Sequence, residues 1–348
     1  MRRSRRLSIV DIILLALRVA VVVGVGLGVW ATLSQGLLTG DQWRDLFIFG
    51  IAQGSVYALI ALGYTLVYGV LLMINFAHGD VFMFGGMTAF FVADSLSRAG
   101  FLDNNPLIGM AVVLAVAMLS SAALAVLLER IAYRPLRRAP RLVPLITAIG
   151  ASLFISNSVR GLYGEQVKAY PALTVLQGKF EILGIPILKT HVVVIIAAVL
   201  MMLALFWFVE RTRTGRAMRA ISEDKDTAAL MGINVDRIIA VTFAIGGMLA
   251  GAAGVLYALV FNQVHWFMGF LPGIKAFTAA VLGGIGNIVG AMLGGLSLGV
   301  LESVAPALLL SGFNVPSPNQ LRDVVAFSVL VLVLIFRPYG ILGRPEGR

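Results

Sequence analysis

Residues 50–91 read GIAQGSVYALIALGYTLVYGVLLMINFAHGDVFMFGGMTAFF. As far as Met73 this is an apolar run long enough to cross a bilayer, for which about 20 mostly apolar residues suffice. The chain then passes a polar knot of Asn75, His78 and Asp80, with Gly79, Gly85 and Gly86 close by, and turns apolar again. Polar side chains are costly in hydrocarbon unless they face protein or water. Two readings fit the knot. One is an interfacial turn in which His78 and Asp80 cap helix ends. The other is a discontinuous helix lining a solute path or gate, with Tyr57, Tyr64 and Thr65 further along the same wall.

Working outward, such apolar runs fill the 348 residues: 59% are hydrophobic, 13% are charged, and the mean hydropathy is +0.95. A soluble domain carries about 45–50% apolar and about 25% charged residues. Here there are too few charges to cover a water-facing surface, which excludes a soluble enzyme and a disordered chain. Spans are predicted near 9–33, 46–73, 80–97, 107–128, 142–162, 190–209, 238–262, 271–285, 287–310 and 321–337. The fold class is an all-α polytopic integral membrane protein of about ten transmembrane or re-entrant helices. Residues 271–310 read either as two spans or as a re-entrant segment, because the first half is short and rich in glycine. Residues 1–45 form a basic tail and an added span, 46–337 the main transmembrane domain, and 338–348 a tail.

The net charge of +10 reports orientation. Arg2, Arg3, Arg5 and Arg6 precede the first run, and Arg130, Arg134, Arg137, Arg138 and Arg141 follow the fourth. Arg211, Arg213, Arg216, Arg219, Lys225 and Arg237 lie between the sixth and seventh, and Arg337, Arg344 and Arg348 close the chain. With ten spans all four clusters fall on one side, which the positive-inside rule makes cytoplasmic, together with both termini. Dispersal over four loops removes the case for nucleic acid. The first run carries Asp11 and Arg18, exceeds a signal-peptide h-region and lacks an obvious small-x-small cleavage site, so it reads as an uncleaved span.

Two connectors are long enough to hold structure. Residues 163–190, on the outer side, contain β-friendly pieces split by Gly178, Gly184 and Pro186 and predict a small hairpin. It is either an ordered connector or a dock for an outside partner. Residues 210–237, on the inner side, predict a helix over 223–231 with Ser222 as N-cap, Glu223, Asp224 and Asp226 near its positive end, and Gly232 as a left-handed stop. Leu230, Met231 and Ile233 would be exposed. This segment is either a charged connector or the lever of a cytoplasmic motor.

Glycines spaced by four, Gly24/Gly28, Gly50/Gly54, Gly247/Gly251 and Gly286/Gly290/Gly294, predict close helix packing in lipid. Further intramembrane polar positions are Thr147, Asn157, Arg160, Thr242, Asn262, Gln263, Lys275, Thr278, Asn287 and Glu302. Together they suggest a polar seam for a small solute. With no Cys and only His78, His191 and His265, no metal site or other cofactor is expected. No serine is obviously paired with His78 and no phosphate-binding P-loop occurs, so the chain is expected to be no enzyme. An ATP-driven process would need a separate ATPase.

Five runs carry a resemblance: GSVYALIALGYTLVYGVLLMINFAHGDVFM, ERIAYRPLRRAPRLVPLITAIG, AISEDKDTAALMGINVDRIIAVTFAIGGMLAGAAGVL, GIKAFTAAVLGGIGNIVGAMLGG and PYGILGRPE. Over about 46–346 the chain resembles the shorter of the two permease subunits of high-affinity branched-chain amino acid ABC importers. The resemblance implies a bacterial inner-membrane protein paired with a second permease, two cytoplasmic ATPases and a periplasmic binding protein. It implies alternating access with Tyr57, Tyr64, Thr65, Asn75, His78, Asp80, Thr147, Asn157, Thr242, Thr278 and Asn287 as path candidates. It also implies ATPase coupling through Arg219, Ser222, Glu223, Asp224, Ala228, Ala229, Leu230 and Gly232, although the Glu-Ala that opens the coupling loop of other ABC importers is missing. Where this chain has Asp80 the family often has Glu. A urea or short-amide importer, a self-sufficient channel or ion-coupled carrier, and an intramembrane enzyme are the rival readings.

Overall fold

The computed structural model describes residues 9–343 apart from 138, 141, 172, 183 and 338. Arg2, Arg3, Arg5, Arg6, Arg138, Arg141, Arg344 and Arg348 lie outside the described residues. In chain order the helices are α1 (Ile9–Gln35), α2 (Gly40–Leu71), α3 (His78–Arg98), a single turn α4 (Phe101–Asn104), α5 (Pro106–Leu128), α6 (Leu142–Tyr163) and α7 (Lys189–Arg211). They continue with α8 (Arg213–Glu223), α9 (Lys225–Leu230), α10 (Val235–Phe261), α11 (Phe270–Gly283), α12 (Ile288–Leu310) and α13 (Arg322–Phe336). Eight of these segments are long and apolar enough to cross a membrane; α3 and α11 make up the ten that the hydropathy pattern predicts.

The long helix α2 is the axis of the bundle. Thr39 and Gln42 form a reciprocal capping box at its start, and between Ala52 and Leu62 its residues are almost wholly buried. Lipid tails are as apolar as Leu, so helices gain little by hiding grease from them and depend on close packing instead. Glycine supplies that closeness. A Cβ on Gly299 of α12 would lie 2.2 Å from Gly54 Cα of α2, and one on Gly295 would lie 2.4 Å from Ala58 Cα. Gly247 and Gly251 of α10 seat α5 in the same way, against Ala125 and Ala117. Two glycines of the predicted set behave differently. Gly24 faces open space, and Gly286 serves a turn at φ +91° rather than a helix contact.

The 271–310 region is two helices. They are broken at Gly284 (φ +105°) and Gly286, and Asn287 caps the second by accepting from the Gly290 N–H at 3.0 Å. The C-terminal segment clamps this break, with the Ile341 and Leu342 N–H groups donating to the Leu282 and Gly283 carbonyls. At 1.5 Å per residue, the 14-residue α11 reaches only about 21 Å, less than the ~30 Å hydrocarbon core. It is a half-span. The connector between α6 and α7 holds the predicted hairpin, β2 (Lys179–Ile182) against β3 (Ile185–Leu188). Nearby, β1 (Lys168–Ala169) pairs with β4 (Gln263–Val264) and ties this connector to the α10–α11 link. The added helix α1 packs on the far end of α12, where Thr32 Oγ1 accepts from the Gly312 N–H and Gly28 abuts the Leu309 carbonyl.

Candidate functional site

The polar knot at 75–80 forms where two helices start inside the bundle. α2 ends at Leu72, a left-handed residue (φ 56°, ψ 32°) whose N–H donates to the Tyr68 carbonyl at 2.7 Å. After five more residues α3 begins at His78. The imidazole of His78 lies edge-on to Tyr64 with ring centroids 4.8 Å apart, in a space that exists only because residue 63 is glycine. A Cβ there would come within 2.2 Å of His78 Nε2. One residue on, Gly79 meets the start of α11 backbone to backbone, since a Cβ on it would sit 2.4 Å from the Gly269 carbonyl oxygen.

Beside this crossing lies a cavity of about 350 Å³ bounded by α3, α6 and α11. Phe76, Leu153, Phe270 and Ile274 give it apolar walls, while Tyr64, Asp80, Ser152 and Ser156 bring polar atoms to it. Asp80 is only 6% exposed. The first turns of α3 and α11 both reach its edge, with most of their N–H groups already paired: His78 to the Asn75 carbonyl, Asp80 to that of Ala77, and Phe270 and Gly273 to those of Phe267 and Gly269. Such a chamber offers an acid for an ammonium group, the positive ends of two helix dipoles for a carboxylate and an apolar pocket between them.

Of the predicted path residues, Tyr64 and Asp80 line the cavity and His78 packs behind Tyr64. Asn75 sits below, accepting a 2.6 Å hydrogen bond from the Tyr133 hydroxyl. The others do not gather there. Thr65 is buried in the core with its hydroxyl unpartnered. Thr147, Thr242 and Thr278 each donate to the carbonyl four residues back, and exposed Asn157 does the same to Leu153. Asn287 is a cap. The expected polar seam is therefore mostly internally satisfied helix structure. Sequence reading missed Ser152 and Ser156, whose three- and four-residue spacing with Ile149 and Leu153 marks one face of α6. Tyr57 belongs to a separate buried cluster. It accepts from Gln53 at 2.5 Å, and its ring lies 6.0 Å from Lys275 Nζ. Lys275 in turn pairs with Glu302 (2.6 Å) and Asp323 (2.5 Å), the latter unforeseen in the sequence.

The 210–237 segment is two helices rather than the one predicted over 223–231. Thr212 caps α8 by accepting from the Gly215 N–H, and α8 buries Gly215, Met218 and Ile221. Ser222 is not an N-cap. It lies in the last turn of α8 and donates to the Arg219 carbonyl at 2.7 Å. Glu223 ends α8, and Asp224, in extended backbone, caps α9 by accepting from the Asp226 and Thr227 N–H groups. A carboxylate takes both orphan donors and the Thr227 hydroxyl at once, which a serine cannot. Those hydrogen bonds, the Thr227 hydroxyl first, hold the Asp224 carboxyl below its ordinary value. Gly232 (φ +83°) stops α9 as expected, with the Ile233 N–H reaching back to the Ala228 carbonyl. Leu230 and Met231 are 87% and 79% exposed, whereas Ile233 is half-buried against the core and Ala228 is buried beside exposed Ala229. Arg219 pairs with Glu210 at 2.5 Å.

Two routes lead toward the knot, one from α9 and one from the start of α10 that follows it. Lys225 Nζ reaches the Leu71 carbonyl, the end of α2, at 3.4 Å. Beside it, Arg134 and Arg137 both engage Asp236 in the first turn of α10, and Arg137 also pairs with buried Glu129. Glu129 opens the π-turn that carries Tyr133, the partner of Asn75.

Comparison with known proteins matches residues 46–334 to a family described as branched-chain amino acid transport system / permease component. The chain is 47% identical to the high-affinity branched-chain amino acid transport system permease protein BraD of Pseudomonas aeruginosa, covering 88% of this chain and 97% of that one. It is 45% identical to the corresponding LivH of Escherichia coli over 85% of this chain and 94% of that protein. The autoinducer 2 import system permease protein LsrC of Yersinia pestis is 30% identical over 55% of this chain and 54% of its own.

Proposed function

Because the chain belongs to the family of branched-chain amino acid transport system permease components, we propose that it passes aliphatic amino acids across the bacterial inner membrane in an ATP-driven importer. It would act with a second permease, two cytoplasmic ATPases and a periplasmic binding protein. The observation that carries the solute class is the cavity between α3, α6 and α11. An aliphatic amino acid is a zwitterion with a greasy side chain. Asp80 and the Tyr64 hydroxyl suit its ammonium, the two helix starts its carboxylate, and Phe76, Leu153, Phe270 and Ile274 its side chain.

Coupling is assigned to α8 and α9. Exposed Glu223, Ala229, Leu230 and Met231 are the surface an ATPase would push, and Arg219, Ser222 and Asp224 hold the two helices in shape. A displacement of α9 would pull on the end of α2 through Lys225 and Leu71, and shift the π-turn through the Arg137–Asp236–Glu129 network. Both movements converge on residues 72–80. Breaking the Tyr133–Asn75 hydrogen bond would then open the cavity inward. Alternating access follows if the outer side closes in the same step. The positive-rich loops support a cytoplasmic position for this face.

The test is solute uptake by proteoliposomes holding the permeases, ATPases and candidate binding protein, with Leu, Ile, Val and urea as competitors. Uptake should require ATP and be competed by the three amino acids. Uptake by this chain alone would establish a self-sufficient carrier instead, and competition by urea alone would overturn the solute assignment.

A further inference from the structure

A second cavity, unrelated to the solute path, opens at the membrane surface between the end of α5 and the start of α10. It is a groove of about 460 Å³. Arg130, Arg134 and Arg237 stand at its mouth, and Val126, Val241 and Ala244 form its floor. Two acids also border it, but both are engaged: Asp236 by Arg134 and Arg137, and Glu129 by Arg137. Arg130 and Arg237 are exposed and make no ion pair among the described residues. The groove therefore keeps two uncompensated guanidinium groups. Ala244 lies seven residues beyond Arg237 on α10, or about 10 Å deeper at 1.5 Å per residue. Its cationic end is thus at headgroup level, and its apolar end is in hydrocarbon.

We propose that this groove binds one anionic glycerophospholipid, with the phosphate held by Arg130 and Arg237 and an acyl chain laid along Val126, Val241 and Ala244. Planar guanidinium groups hydrogen-bond phosphate oxygens in pairs, and basic pockets between membrane helices select acidic headgroups. A free phosphate would leave the apolar floor against water. An acidic peptide would have to place polar backbone at hydrocarbon depth, which is disfavoured. The lipid satisfies both ends. The site needs only that α5 and α10 cross the bilayer, so it stands apart from the solute assignment, while Glu129 and Asp236 on its wall also belong to the coupling network.

Native mass spectrometry of the full-length chain, alone and in its assembly with partner subunits, tests the site. The probes are phosphatidylglycerol and phosphatidylcholine of identical acyl composition. One phosphatidylglycerol should be retained in preference to phosphatidylcholine in both preparations. The double variant R130Q/R237Q should lower its retention about tenfold, R130K/R237K should keep a larger share, and A244F, which fills the floor but spares the arginines, should also lose it. Equal retention of the two lipids, or undiminished retention by either R130Q/R237Q or A244F, overturns the proposal. So does displacement by soluble glycerol 3-phosphate at equal concentration, which would make the headgroup alone the ligand. Loss of lipid on assembly overturns it as well, since a partner subunit would then fill the groove.

Discussion

Asp80 occupies a first helical turn, where backbone N–H groups favour a carboxylate, and it is almost fully withdrawn from solvent on the wall of the cavity. If it meets the solute ammonium, Asp80→Asn should cut ATP-dependent uptake by about tenfold or more, since a charge-assisted hydrogen bond is worth about 1.5–3 kcal/mol. Asp80→Glu, which restores the charge with a longer reach, should recover most of it. Equal uptake by wild type and Asp80→Asn in proteoliposomes would remove Asp80 from the path. Lys275 poses a different question, because it and Glu302 are buried and paired, with side chains 8% and 2% exposed. Removing one partner of such a pair strands a charge, at a cost of about 3–5 kcal/mol. Lys275→Met should therefore lower the thermal unfolding midpoint in detergent markedly. Lys275→Met with Glu302→Gln should lower it less, a sign that stranded charge rather than lost packing is responsible.

Among the elements, α8 and α9 show how a short helix is specified. Asp224 ends one helix and starts the next, so its cap controls the angle between them. Its carboxyl is depressed in the folded protein, so the stability it contributes is present above the ordinary aspartate range and fades as pH falls through the lower folded value. Below about pH 4, the amide protection factors over residues 225–230, corrected for intrinsic exchange, should fall in wild type. In Asp224→Asn they should already be low at neutral pH and change little on acidification. Ala229 is exposed on the same short helix, and Ala229→Glu should raise ATP hydrolysis relative to uptake while membrane insertion stays intact. An unchanged ratio of ATP hydrolysed to solute imported would detach α9 from coupling.

For the whole molecule, sidedness is the property on which the transport reading depends. The chain has no Cys, so single cysteines report cleanly. Asp226→Cys should react with an impermeant thiol reagent only from the cytoplasm, and Glu181→Cys, in the hairpin, only from the periplasm. Reaction of both from one side would overturn the ten-helix topology. The ten helices were legible because hydrocarbon imposes a length and a composition that a linear sequence displays directly. The hairpin and the stop at Gly232 were legible because glycine at a turn is a local requirement. Ser222 misled because serine and aspartate both cap helices, and choosing between them needs the backbone angle at residue 224. The polar seam misled for a related reason. Thr147, Thr242 and Thr278 satisfy themselves on their own helices, and nothing local separates a threonine that bonds backward from one that faces a path. Ser152 and Ser156 went unseen because which face of α6 looks inward depends on α3 and α11, far away in the chain.

The meeting of α3 and α11 has a mechanical consequence. Gly79 on one side and Gly269 and Gly273 on the other bring main chain against main chain, with Met83 of α3 seated against Gly269 beside them. Knob-and-hole contacts resist sliding because each step demands that rotamers change in concert. A joint made mostly of bare backbone has few such teeth. α3 and the half-span α11, which frame the chamber, can shift past one another by small increments, like plates in a bearing.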